Sequence, residues 1–300
     1  MSPWPPSFRN RGETILFQSG MVTIGTFRCP PEHPQFRDSG PSNAYCFVFP
    51  RTTVWIQHAG EPPFLADPTV VTYLNEGQEY FRTGVAGDGD RAEWFAVVPE
   101  VAAEILGTVA PRSLGKGRRV FAGSHGRCDA ATYMRQRRLT ELLSQHVDVD
   151  PLHAEELVLS LLGRVASSSD GEAARRPAAA SRRQRAFEAD VRVLVASTIS
   201  EKVHLSNLAA GLGCSVYSLC HRFKRIHGMS IHRYRQNLRL RLSLERLRDG
   251  ERNLTSLALD LGFSSHSHFT AAFRRQFGRT PSAFVGELQV GSAFRHTWGG

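Results

Sequence analysis

The stretch LSNLAAGLGCSVYSLCHRFKRIHG, residues 205–228, recurs as LTSLALDLGFSSHSHFTAAFRRQFG, residues 254–278. Leu205, Leu208, Ala209, Leu212 and Gly213 fall on Leu254, Leu257, Ala258, Leu261 and Gly262 at an offset of 49 residues. Leu219, Phe223, Gly228 and Tyr234 fall on Phe269, Phe273, Gly278 and Phe284 at an offset of 50, so one residue is inserted at the turn. Two copies are too few for a solenoid, which buries its faces only by stacking several units. Each copy instead has a shape of its own. A short apolar helix, a glycine turn and a longer basic helix follow in the order of a helix-turn-helix.

The turn chemistry supports that reading. Gly213 and Gly262 end the first helix of each pair, where a left-handed residue costs glycine nothing. Ser215 and Ser265 stand where an N-cap is needed, and a capped helix N-terminus also attracts phosphate. Leu219 with Phe223, and Phe269 with Phe273, are spaced four apart and must face inward. The outward positions are then Val216, Tyr217, Cys220, His221 and Lys224 on the first reading helix. On the second they are His266, Ser267, Thr270, Ala271 and Arg274. These are candidates for base edges and phosphates. Basic residues near the helix ends, Arg222, Lys224, Arg225, Arg274 and Arg275, are placed for phosphates. Any one of them alone could be an ordinary solvated side chain.

Charge places the set in context. Residues 181–285 hold 18 Lys or Arg against 7 Asp or Glu, a net +11, while the rest hold 19 against 21, a net −2. A basic excess confined to the repeat is the electrostatic footprint of a polyanion. Between the copies, Ile231–Arg248 reads as one long helix with Leu238, Leu240, Leu242, Leu244 and Leu247 on its apolar face. About eighteen residues at about 1.5 Å each span roughly 27 Å. With the width of the reading helices added, their separation approaches one DNA turn of about 34 Å. One monomer would then enter two successive major grooves.

The remainder is a different kind of chain. Three hundred residues allow about two domains. From Glu13 to about Val98 short strands are expected, at Thr14–Phe17, Val22–Arg28, Tyr45–Phe49, Thr53–His58, Val70–Leu74, Glu79–Thr83 and Trp94–Val98. Clusters such as Arg37–Asn43 and Ala86–Asp90 separate them, and the spacing is that of a sandwich or small barrel. Tyr45, Phe47 and Phe49 alternate and share a face. That face is plain core or, if the barrel opens at one mouth, the wall of a small-molecule pocket. Asp129–Gln145 and Pro151–Ala166 read as helices, with stripes at Leu139, Leu142, Leu143 and at Leu157, Leu161, Leu162. They pack back on the β-domain or pair with a second subunit. Ser167–Arg183, SSSDGEAARRPAAASRR, reads as a flexible linker. The division is therefore a sensing or dimerisation domain at 13–166, a linker at 167–183 and a DNA-binding domain at 184–288. Gln289–Gly300 reads as a tail.

Several chemistries are disfavoured. The five cysteines form no CxxC pair, and the twelve histidines show no HExxH spacing, so no metal, cofactor or catalytic residue is expected. His33, His58 and His125 read as ordinary histidines. No apolar run is long enough for a membrane helix and the first ten residues are no secretory signal, so the chain is expected in the cytoplasm.

These residues resemble a known family. Residues 187–286 are similar to the DNA-binding domain of the AraC/XylS transcriptional regulators. GFSSHSHFTAAFRRQFGRTPSAF, residues 262–284, resembles its second motif, and HGMSIHRYRQNLRLRLSLERL, residues 227–247, its linker-helix region. FLADPTVVTYLNEGQEYFR, residues 64–82, more weakly resembles the family's cupin-like effector domains. The resemblance implies a promoter-binding regulator, often an activator that touches RNA polymerase. It places base contacts at Tyr217, Cys220, His221, His266, Ser267 and Thr270. Cys220 and Ala271 stand where the family often has longer polar or basic residues. Two rivals remain at this point. A DNA-repair methyltransferase on the same DNA-binding domain would need a zinc-held cysteine cluster near the N-terminus, and Cys29 and Cys46 are isolated. The other is a regulator whose N-terminal domain binds a protein and no small-molecule effector.

Overall fold

Alternating side chains build the strands of the N-terminal part. The computed structural model describes residues 12–85, 89–107, 119–145, 149–175 and 182–293. Among them the strands are β1 Glu13–Gln18, β2 Val22–Cys29, β3 Asp38–Pro41, β4 Cys46–Pro50, β5 Val54–His58, β6 Phe64–Ala66, β7 Val70–Leu74, β8 Glu79–Gly84, β9 Asp90–Val97 and β10 His125–Arg127. They form two antiparallel sheets, one ordered β1-β2-β9-β4-β7-β10 and the other β3-β8-β5-β6. A cavity of about 90 Å³ lies between the sheets. Strands β3, β6 and β10 were not expected from the sequence. Each is only three or four residues long, and β3 lies in a stretch rich in Gly, Pro and Asn. Pairing with β8, β5 and β7 orders them. Strand β9 likewise starts at Asp90, inside an expected separator, because β2 pairs with it along its whole length.

The register settles which face of β4 meets the cavity. Phe47 lies opposite Phe95 and Phe49 opposite Glu93, so all four share a face. The Phe47 and Phe95 rings stack at 5.2 Å, and Phe49 meets Phe95 edge-on. Arg137, on a helix that follows the sheets, forms an ion pair with Glu93. That face is therefore the helix-covered core. Cys46, Val48 and Pro50 point the other way and line the cavity with Trp94. Tyr45, Phe47 and Phe49 are buried and none lines it, which corrects their expected place in a ligand pocket. A period of two fixes two faces but not which is interior, and both faces of β4 are apolar. Trp94 crosses β2 at Gly25, where a Cβ would stand 2.4 Å from the indole ring.

Helix α1, Pro99–Ile105, has Pro at its first position and was not expected. Helices α2 (Ala130–Ser144) and α3 (Pro151–Arg175) follow. Asp129 caps α2 by accepting from the Thr132 N–H at 2.7 Å, and Arg164 of α3 donates to Asp129 at 3.2 Å. Of the two stripes, Leu139, Leu143, Leu161 and Leu162 are buried within this unit and Leu142 and Leu157 are half-buried, so the stripes pack largely on their own domain. Helix α3 runs to Arg175, well into the stretch expected to be a flexible linker. Its residues Glu172, Ala173, Ala174 and Arg175 are good helix formers, and the next proline is Pro177. Residues 176–181 lie outside the described residues.

The chain divides near Ala179 into two units. The second is all helix: α4 Arg182–Ser197, α5 Leu205–Gly211, α6 Val216–His227, α7 Ile231–Arg248, α8 Leu254–Asp260, α9 His266–Phe277 and α10 Pro281–Ala293. Helix α10 thus extends through the start of the expected tail. Phe187, Val191, Val195, Leu208, Leu219 and Phe223 form a first core with Ile231, Tyr234 and Leu238 from the start of α7. A second aromatic group joins Phe263, Phe269, Phe273 and Phe284 in ring contacts of 5.2–6.0 Å. Arg248, at the end of α7, lies over the Phe284 ring. Helix α7 is thus shared between the two modules. Among the described residues no helix is long and apolar enough to cross a membrane.

Candidate nucleic-acid interface

The two reading helices are held alike. Ser215 caps α6 by accepting from the Ser218 N–H at 3.2 Å, and Ser265 caps α9 by accepting from the His268 N–H at 3.1 Å. Gly213 and Gly262 have φ of 59° and 72°, the left-handed turn that the sequence requires. Each reading helix ends on a left-handed glycine, Gly228 or Gly278. Leu219, Phe223, Phe269 and Phe273 are fully buried, which fixes the opposite face of each helix toward solvent.

On α6, Val216, Tyr217, His221, Lys224 and Arg225 are exposed and Cys220 is half-buried. Tyr217 is 78% exposed, a large aromatic side chain for which the fold itself has no use. Its ring stacks on His221, with centroids 5.7 Å apart and planes 10° apart. On α9, His266, Ser267, Ala271, Arg274 and Arg275 are exposed and Thr270 is half-buried. Thr270 Oγ1 lies 3.4 Å from His266 Nε2. A shallow concavity runs along His266, Ser267, Thr270, Ala271, Arg274 and Arg275 to Gly278 and Thr280. Thr280 directly precedes α10. Its hydroxyl accepts from the Ala283 N–H at 3.2 Å, which brings a second helix N-terminus beside the C-terminal end of α9. The Thr-Pro pair at 280–281 was the signal for it.

The basic residues divide into two groups. Among the described residues no carboxylate pairs with Lys224, Arg225, Arg274 or Arg275. Cations without internal partners at a surface remain available to a polyanion. Arg222 differs from the expectation. Its guanidinium lies 3.5 Å from the centroid of Phe187 on α4, a cation–π contact that turns it inward to the first core.

In the N-terminal unit the cavity has one polar end. Arg82 pairs with Asp90 at 2.8 Å and lies over the Phe27 ring at 4.3 Å. Burial raises the Glu13 carboxyl from its usual 4.5 to about 7, against the attraction of Arg82. Cys46 is pushed upward by burial, so its thiol is no reactive nucleophile. All five cysteines are free, and no metal-binding group of three His, Cys, Asp or Glu occurs among the described residues.

A family model described as a helix-turn-helix domain matches residues 208–286. The chain is 34% identical over 86 residues to the regulatory protein SoxS of Escherichia coli K12, across 29% of this chain and 80% of SoxS. It is 33% identical over 95 residues to the right origin-binding protein of the same organism, across 32% of this chain and 33% of that protein. Among solved structures, ToxT from Vibrio cholerae O395 aligns over 90% of this chain and 99% of its own, at 13% identity and a TM-score of 0.36.

Proposed function

The chain belongs to the AraC/XylS family of transcriptional regulators, and from that premise we propose that one monomer reads two successive major-groove segments with α6 and α9. It is a DNA-binding regulator and not an enzyme. The observation that carries the two-groove reading is the pair of N-capped helices with outward polar faces at the two ends of one 18-residue helix. That helix spans about 27 Å. Tyr217, Cys220 and His221 on α6, and His266, Ser267 and Thr270 on α9, contact base edges. Lys224, Arg225, Arg274 and Arg275, with the helix N-termini at Ser215 and Ser265, hold phosphates.

The N-terminal unit responds to a small molecule in the cavity between its sheets. One buried water needs roughly 10–15 Å³, so 90 Å³ takes several water-sized groups. Occupation of the cavity favours one state of the regulator, which acts as an activator in contact with RNA polymerase in the cytoplasm. Most of the leucine stripes of α2 and α3 are buried in their own core, while Leu142 and Leu157 stay half-buried. The experiment is genome-wide mapping of DNA bound by the full chain. A recovered motif with two parts about one helical turn apart supports the reading. A motif confined to one groove segment removes it.

A further inference from the structure

Arg239 stands at the middle of α7, between the half packed into the first module and the half that reaches the second. Its side chain leaves the helix toward neither reading surface. Nε donates to the carbonyl of Ile199 at 2.9 Å and Nη2 to that of Glu201 at 3.3 Å. One turn earlier Arg235 donates to the carbonyl of Thr198 at 2.6 Å and to that of Glu201. Two guanidinium groups therefore gather the carbonyls of Thr198, Ile199 and Glu201 just past the end of α4, where the chain turns into the first helix-turn-helix. Carbonyls beside a helix C-terminus lie at the negative end of its dipole and attract cations.

The same guanidinium also meets the second module. A Cβ on Gly262 would stand 2.3 Å from Arg239 Nη2 and 2.9 Å from the carbonyl oxygen of Ser200. The Arg239 Cζ lies 5.8 Å from the Phe263 ring centroid. Gly262 and Phe263 form the turn that leads into α9. The loop before α5 and the turn before α9 thus touch through one side chain and one missing side chain. Burial and the neighbouring Arg235 lower Arg239 to about 10, so it remains a cation at neutral pH.

We propose that Arg239, clamped between Gly262 and the carbonyls of Ile199 and Glu201, fixes the angle between the two modules and so selects the spacing between the two half-sites on DNA. Arg239 is a positioning residue and touches no base. Helix α7 sets the distance between the modules, but their rotation about its axis needs a second tie. Successive base pairs differ by about 34° and about 3.4 Å along the duplex. A modest rotation at this junction therefore shifts α9 by one base pair relative to α6. Arginine suits the task because its planar fork can serve two carbonyls and still present a flat face to Gly262 and Phe263.

The inference rests on the two-groove reading, and one experiment separates their failures. The full chain is used to select from a random pool of DNA duplexes, and the recovered sequences give both half-site motifs and their spacing. Wild type returns two motifs at one dominant spacing. Arg239→Ala and Arg239→Met return the same two motifs with a broadened spacing, and Arg239→Lys falls between. Discrimination against a spacing one base pair longer drops from more than about tenfold to less than about threefold. Arg239→Met keeps the apolar stem and carries the same readout if the alanine variant fails to fold by circular dichroism. Unchanged spacing in the folded variants overturns the inference, as does a change in either motif. A single motif from wild type removes the two-groove reading itself.

Discussion

Removal of one phosphate contact should change the salt dependence of binding by a countable amount. Lys224, Arg225, Arg274 and Arg275 are the four exposed cations on the reading helices that lack a carboxylate partner among the described residues. Each phosphate neutralised contributes about −0.9 to the slope of log K against log salt. Four contacts give a slope of about −3.6, so affinity falls about 150-fold between about 50 and 200 mM salt. Arg274→Ala leaves three contacts, a slope of about −2.7 and a fall of about 40-fold over the same range. Fluorescence anisotropy on a labelled duplex recovered by selection measures both slopes. His266→Ala on the same duplex is the control, because loss of a base contact weakens binding at all salt concentrations and leaves the slope alone. An unchanged slope for Arg274→Ala refutes the assignment of that residue to the backbone. A wild-type slope near zero refutes the electrostatic account of the whole surface.

Base readout is tested by His221→Ala and His266→Ala, each of which should relax one position of the selected site by about 1–3 kcal/mol; the same preferred site from both variants would mean that the outward faces are misassigned. Glu13 binds its proton more tightly in the fold than at its usual 4.5, so its contribution is fully present below that pH and is lost as pH rises through about 7. Glu13→Gln should then raise the melting point of the N-terminal unit at pH 8, by the equivalent of about 2 kcal/mol after allowance for partial exposure, and leave it unchanged at pH 4. Leu161→Ala should destabilise the same unit by about 2–5 kcal/mol in denaturant melts while sedimentation of the folded protein stays as in wild type; dissociation of an oligomer instead would assign α3 to a subunit interface.

The parts that were legible in the sequence are those where local chemistry leaves one choice. Gly213, Ser215, Gly262 and Ser265 each satisfy a need of the backbone within three or four residues, so the turns and caps of both helix-turn-helices could be read without a fold. The inward pairs Leu219–Phe223 and Phe269–Phe273 then fixed the outward face by helical period alone. The β-domain was legible only as a class. Its shortest strands exist because neighbours pair with them, and Asp38–Pro41 carries no strand signal of its own. Arg222 shows the same limit inside a helix. Helical spacing placed it near the phosphate-facing end, but Phe187, thirty-five residues earlier, draws its guanidinium into the first core.

The sequence by itself determined the local conformation of the DNA-binding third, its polarity and its charge, because periodicity, capping and glycine turns act over a few residues. Only the tertiary structure decided which side of an alternating strand is interior. Phe47 and Phe49 were consigned to the helix-covered face by their register with β9, leaving Cys46, Val48 and Trp94 to the cavity. Only the tertiary structure gave Arg239 its partners, since Ile199, Glu201 and Gly262 lie at least twenty-three residues from it along the chain. A contact at that separation depends on how packed elements cross, and no short-range pattern records it.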